Sequence, residues 1–183
     1  MPFLVLEHIN YRPVNDGQLV QSVICDPSNM RVRANIPAFM EVAPGYREFF
    51  QVLQHHPEKH LTFTPDLVYD PEMVLYFNYL SDDNGWARTM QIHPDGSADI
   101  VRHRPGQLNR AVRGIFRTVD KEALGIEPGT AEVEGFTSEK GKGNLQSLPG
   151  GSKFTVDLEI GVLSNELVQH EESLVEATIA AGK

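Results

Sequence analysis

The stretch Trp86-Ala87-Arg88-Thr89-Met90-Gln91-Ile92-His93-Pro94-Asp95-Gly96-Ser97-Ala98-Asp99-Ile100-Val101-Arg102-His103 reads as two short strands around one turn. Asp-Gly is a favoured pair for a tight hairpin, because glycine takes the positive φ such a turn demands. The spacing predicts strands at Trp86–His93 and Ser97–His103, with Ala98 near His93 and Arg88 near His103. The same pattern of turn signals and short apolar runs continues in both directions. Further strands are expected at Phe3–Ile9, Leu19–Ile24, Tyr46–Gln54, Leu61–Tyr69, Met73–Tyr79, Val112–Val119, Thr130–Glu134 and Phe154–Leu163. Asn84-Gly85 and Asp16-Gly17 mark two more turns, and 15 Gly and 12 Pro punctuate the chain. Many short strands at fairly even spacing indicate an all-β sandwich or barrel. One segment departs from this. From Asn165 onward Leu167, Val168, Leu174, Val175 and Ile179 recur at helical spacing, so residues 164–182 are expected to form an amphipathic C-terminal helix capped by Ser164 or Asn165. The polar stretch Thr137–Gly143 is long enough for one helical turn.

At 183 residues the chain fits a single domain, 1–183, large enough to bury a core. Sixteen basic and 25 acidic residues give a net charge of −9 and a pI near 5.2. That balance argues against a nucleic-acid partner and against an anionic membrane surface. A single cysteine, Cys25, allows no internal disulfide, and its acidic neighbour Asp26 favours a buried or inert thiol over a nucleophile. No apolar run approaches the ~18 residues of a membrane span. The first residues lack the lysines and long apolar stretch of a signal peptide, so a cytoplasmic location is expected.

Seven histidines invite a metal reading. His55, His56 and His60 cluster in sequence. On a strand, however, adjacent side chains point to opposite faces, so His55 and His56 do not converge on one ion. His93 and His103 flank the hairpin too widely to share a metal, and no metal or other cofactor is expected. Two other residues stand out. His8 ends the nearly continuous apolar run Phe3-Leu4-Val5-Leu6-Glu7-His8-Ile9-Asn10-Tyr11. Glu127 sits in Ala123-Leu124-Gly125-Ile126-Glu127-Pro128-Gly129. A semi-buried carboxylate must pair or have a raised pKa, and either property suits a general base.

These two stretches resemble strands of the aldose 1-epimerase (galactose mutarotase)-like superfamily. The run from Pro2 to Tyr11, followed by Asn15-Asp16-Gly17, is similar to the strand that ends in the family's catalytic His. Ala123 to Gly135 is similar to the strand bearing its catalytic Glu. Lys142 to Gly151 and Phe154 to Leu163 resemble the closing strands of one subgroup. The resemblance implies an antiparallel β-sandwich and sugar ring opening, with Glu127 taking the anomeric proton and His8 protonating the ring oxygen. It implies Asn10 and Arg117 as sugar-hydroxyl ligands, although Phe116-Arg117 stands where the subgroup tends to carry Trp-Lys. Family chains run to roughly twice this length. The expected partners are therefore a small-molecule sugar and either a second copy of the chain or a partner chain supplying the rest of the sandwich. Two other readings stand beside the epimerase: a non-catalytic carbohydrate-binding or accessory subunit, and an unrelated β-sandwich interaction protein.

Overall fold

The computed structural model describes residues 1–34, 36 and 41–182. The strands are β1 (Pro2–Phe3), β2 (Ile9–Tyr11), β3 (Gln18–Gln21), β4 (Met30–Val32), β5 (Tyr69–Phe77), β6 (Ala87–Ile92), β7 (Ala98–His103), β8 (Arg110–Arg117), β9 (Glu122–Gly129), β10 (Gln146–Ser147) and β11 (Leu158–Leu163). The helices are α1 (Tyr46–His55), α2 (Phe136–Gly141) and α3 (Asn165–Ala181), with a 3-10 turn at Pro57–Leu61. A five-stranded sheet runs β2-β9-β8-β5-β4 and a four-stranded sheet runs β11-β7-β6-β3, every pairing antiparallel; β1 pairs with β10 alone. This is the antiparallel β-sandwich with a C-terminal helix that the sequence led us to expect.

The Asp95-Gly96 hairpin forms as expected, with Gly96 at φ 85°. Its register is one residue off the simple reading, since Ala98 faces Ile92 and Ala87 faces His103. Other boundaries differ for physical reasons. Tyr46–Gln54 is helical, because Tyr46, Phe49, Phe50 and Leu53 recur at i, i+3, i+4 and i+7 and turn one apolar stripe onto the sheet. Leu61–Tyr69 is largely irregular, and the strand expected at Thr130–Glu134 lies just before it, at Glu122–Gly129. The run Phe3–Ile9 is not one strand: β1 leaves to pair with β10, and β2 begins only at Ile9.

Alternation assigns the faces of the five-stranded sheet. Met73, Leu75 and Phe77 of β5, Ile115 of β8 and Leu124 of β9 turn inward, onto Leu19, Phe63 and α1. The second core lies on the far side of the four-stranded sheet, where Met90, Ala98 and Ile100 receive α3. There the expected helix stripe is corrected. Val168 and Val175 are buried, but so is Glu171, while Leu167 is exposed. Glu171 accepts a 2.7 Å hydrogen bond from Nε of buried Arg88 and a second from Arg102, so ion pairing as well as apolar burial seats the helix. Between the sheets lies a polar layer. The buried Arg113 guanidinium stacks on Phe77 and donates to Tyr79 Oη at 3.1 Å, close to Gln21 and Thr89.

Candidate functional site

The outward face of the five-stranded sheet carries the candidate site. Residues 5–11 run antiparallel to β9. The Thr130 amide donates to the Val5 carbonyl and the Glu7 amide to Pro128, and Asn10 stands opposite Gly125. Gly129 permits this approach, since a Cβ there would lie 2.8 Å from the Val5 carbonyl oxygen. The register sets His8 across from Glu127, and its Nε2 lies 3.4 Å from Glu127 Oε1. The His8 side chain is 52% exposed and that of Glu127 only 5%, so the imidazole covers a carboxylate sunk into the sheet. The two share a face and touch, and a ring must lie against the pair rather than between its members.

Two glycines make the recess. A Cβ on Gly125 would sit 2.1 Å from Glu127 Oε1, and one on Gly114 would sit 2.3 Å from Glu72 Oε1 and 3.1 Å from Glu127 Oε1. The Glu127 carboxylate thus occupies space that any other residue at position 125 would fill. Glu72, which sequence reasoning missed, brings a second carboxylate beside it. Its signal was slight: it stands just ahead of the apolar run from Met73 to Phe77, after Asp70 and Pro71. Burial pushes the Glu127 carboxyl up and the Glu72 charge adds to this, while His8, Arg113 and the Gly114 amide pull back; the net direction is upward. A base held above the ordinary carboxylate range is closer to neutral working pH.

Asn10 is exposed two residues along from His8, on the same face. Arg117 is not part of this group. It follows Arg113 and Ile115 on the inward-facing side of β8, where Glu122 pairs with it at 3.3 Å and Asn15 and the Thr64 carbonyl accept from it. Sequence adjacency to the Glu127 strand could not reveal which face the side chain takes. Cys25 is exposed rather than buried, and its thiol is pushed up by partial burial, then by Glu58 and Asp26. His55 ends α1 and His56 caps it, while buried His60 bonds the Pro57 carbonyl through Nδ1. Among the described residues no group of three or more His, Cys, Asp or Glu is placed to hold a metal ion.

The same face continues past β5 into a cavity of about 320 Å³ lined by Arg31, Arg33, Glu132, Glu134 and Lys142. Its cations are matched: Arg33 with Glu134 at 2.9 Å, Lys142 with Glu132 and Glu139 at 2.7 Å each, and Arg31 with Glu132. Tyr76 donates to Glu134, and burial pushes its hydroxyl upward. A phosphate entering here would have to displace a carboxylate. Among the described residues no helix is long and apolar enough to cross a membrane.

No protein-family model matches the chain. No curated protein matches it in sequence. A solved structure does match in shape: that of a "putative aldose 1-epimerase" from Klebsiella pneumoniae subsp. pneumoniae, at TM-score 0.78 and 17% identity. The match covers 97% of this chain and 43% of that one, so the chain spans less than half the length of the protein it resembles. Over nearly its whole length, the chain has the aldose 1-epimerase-like β-sandwich fold.

Proposed function

We propose that this protein acts on carbohydrate as an aldose 1-epimerase-like isomerase, interconverting sugar anomers with His8 and Glu127 as its acid and base. One observation carries the reading. Two ionisable residues far apart in sequence meet at 3.4 Å over a floor of glycines, and one of them is a buried carboxylate with a raised pKa. Packing alone gives no reason for that arrangement.

The chemistry suits the geometry. The anomeric hydroxyl and the ring oxygen are bonded to the same carbon, so an acid and a base in contact can reach both. Glu127, ionised, takes the proton of the anomeric hydroxyl. The electron pair of that O–H bond forms the carbonyl, the bond from C1 to the ring oxygen breaks, and protonated His8 gives its proton to the departing oxygen. The aldehyde rotates and the two transfers run backwards on its other face, returning each proton to its origin. Asn10, beside His8, is placed to hold a sugar hydroxyl, and no cofactor enters the cycle. The working form pairs an imidazolium with a carboxylate, the arrangement in which each charge favours the other.

A second reading rests on the 43% coverage: a carbohydrate-binding or accessory subunit that keeps the sandwich and leaves chemistry to another chain. Exchange spectroscopy by NMR on a panel of aldoses separates the two. Anomer exchange above the buffer rate, lost in Glu127→Gln, supports the enzyme. Sugar binding without exchange supports the accessory subunit.

A further inference from the structure

We propose that β11 is a self-pairing edge, and that its partner is a second copy of this chain, joined by antiparallel β11–β11′ pairing about a two-fold axis through Ile160. The strand ends the four-stranded sheet. Its residues pair with β7 in unbroken register, from Leu158 opposite His103 to Leu163 opposite Ala98. Among the described residues, no other backbone segment bonds to it. Proteins blunt such edges with lysine, proline, a bulge or a covering element. Leu158-Glu159-Ile160-Gly161-Val162-Leu163 has none of these. The helix that follows runs the other way: Glu171 binds Arg102 on β7 and Arg88 on β6, and Gly182 lies against Leu80.

The side chains show what the edge fits. Leu158, Ile160 and Val162 share a face, with Ile160 55% and Val162 72% exposed. The only charge, Glu159, points to the opposite face, where Arg102 holds it. Pairing about Ile160 sets Ile160 against its own copy and Leu158 against Val162′, so the apolar strip meets itself. Glu159 falls opposite Gly161′, where a Cβ would meet nothing within 4 Å, so the carboxylate has room. A register centred on Glu159 would instead set two like charges face to face, which is destabilising. The strand is therefore complementary to itself in both apolar pattern and charge, as a two-fold interface requires. His8 and Glu127 lie on the outward face of the other sheet, so this contact stands or falls independently of the sugar chemistry. The apolar run at the N-terminus is taken up within the chain, Pro2–Phe3 against β10 and residues 5–11 against β9.

The test is sedimentation of the whole chain at micromolar concentration. The wild type should sediment as a dimer. Ile160→Lys and Val162→Lys should each sediment as monomers with unchanged circular dichroism, while Leu167→Lys, on the exposed side of α3, stays dimeric. Ile160→Lys and Ile160→Glu, each monomeric alone, should form a heterodimer when mixed, because the two positions face each other. A monomeric wild type, a dimer that persists in Ile160→Lys, or a mixture that stays monomeric would each overturn the proposal.

Discussion

Gly125→Ala is the sharpest perturbation the recess allows. The new methyl would sit 2.1 Å from Glu127 Oε1, whereas ordinary contact begins at 3.4 Å, so the oxygen must retreat by more than an ångström. It can, because it is the free end of a flexible side chain. The backbone at Gly125 is not among the positive-φ glycines, so alanine is not strained there. The variant should therefore fold. Its stability should stay within ~1 kcal/mol of wild type, since Gly→Ala at a compatible site gains ~0.4–1 kcal/mol through the unfolded chain. In a protein this size that is a shift of at most about 4 °C in melting temperature. The catalytic cost should be far larger, because a misplacement of ~1 Å can lower a rate ~100-fold. Anomer exchange by NMR and thermal melting by circular dichroism measure the two effects on the same sample. Exchange within threefold of wild type would refute the placement of Glu127 as base. A melting temperature lower by more than about 10 °C would show that the carboxylate cannot retreat, and would refute the account of the recess.

Three further outcomes follow. Glu127→Gln should slow exchange by ~100-fold or more while stabilising the fold at neutral pH. The native carboxyl titrates above its unfolded value, so ionising it costs stability that glutamine does not lose. The gap in melting temperature should widen as pH rises from about 4 through the native pKa; a gap independent of pH would refute the upward shift. Burial pushes His103 down to about 4 and His60 down to about 3. The unfolded chain therefore binds more protons than the native one below about pH 6.5, and stability falls with acid. By pH 4.5 the His103 share is on the order of 2 kcal/mol; urea unfolding of His103→Leu should show a smaller acid loss, and equal losses would contradict this. Glu171→Ala removes the carboxylate shared by Arg88 and Arg102 and should cost ~3 kcal/mol, because it leaves Arg88 buried beside Asp82 alone. A cost below ~1 kcal/mol would show that apolar contacts suffice to seat α3.

The sequence displayed some of this clearly and hid the rest for identifiable reasons. The hairpin at Asp95-Gly96 and the C-terminal helix were legible because their signals are local: a turn dipeptide and a periodicity. Glu171 was not legible as an inward residue, since its partners Arg88 and Arg102 come from strands far away in sequence. Residues 46–55 carried a helical period that competed with aromatic and β-branched content, and packing against the sheet decided for helix. His8 and Glu127 were visible as ionisable residues breaking apolar runs. The strand that bears Glu127 was masked by its Gly and Pro, which elsewhere mark turns. Here Gly125 makes room for a carboxylate, and Gly129 admits the neighbouring chain. Arg117 shows the opposite limit. A cation two residues past an inward-facing isoleucine faces inward too, but that is evident only once the register of β8 is known.

The proposed exchange of sugar anomers by His8 and Glu127 is open to one decisive measurement. Magnetisation-transfer NMR tests it most directly, with the wild type, His8→Asn and Glu127→Gln measured side by side on aldoses at equilibrium. The expected result is exchange between anomeric resonances in wild type, a loss of ~100-fold or more in each variant, and sugar affinities changed much less than rates. Exchange at the buffer rate in wild type, or exchange undiminished in both variants, would contradict it.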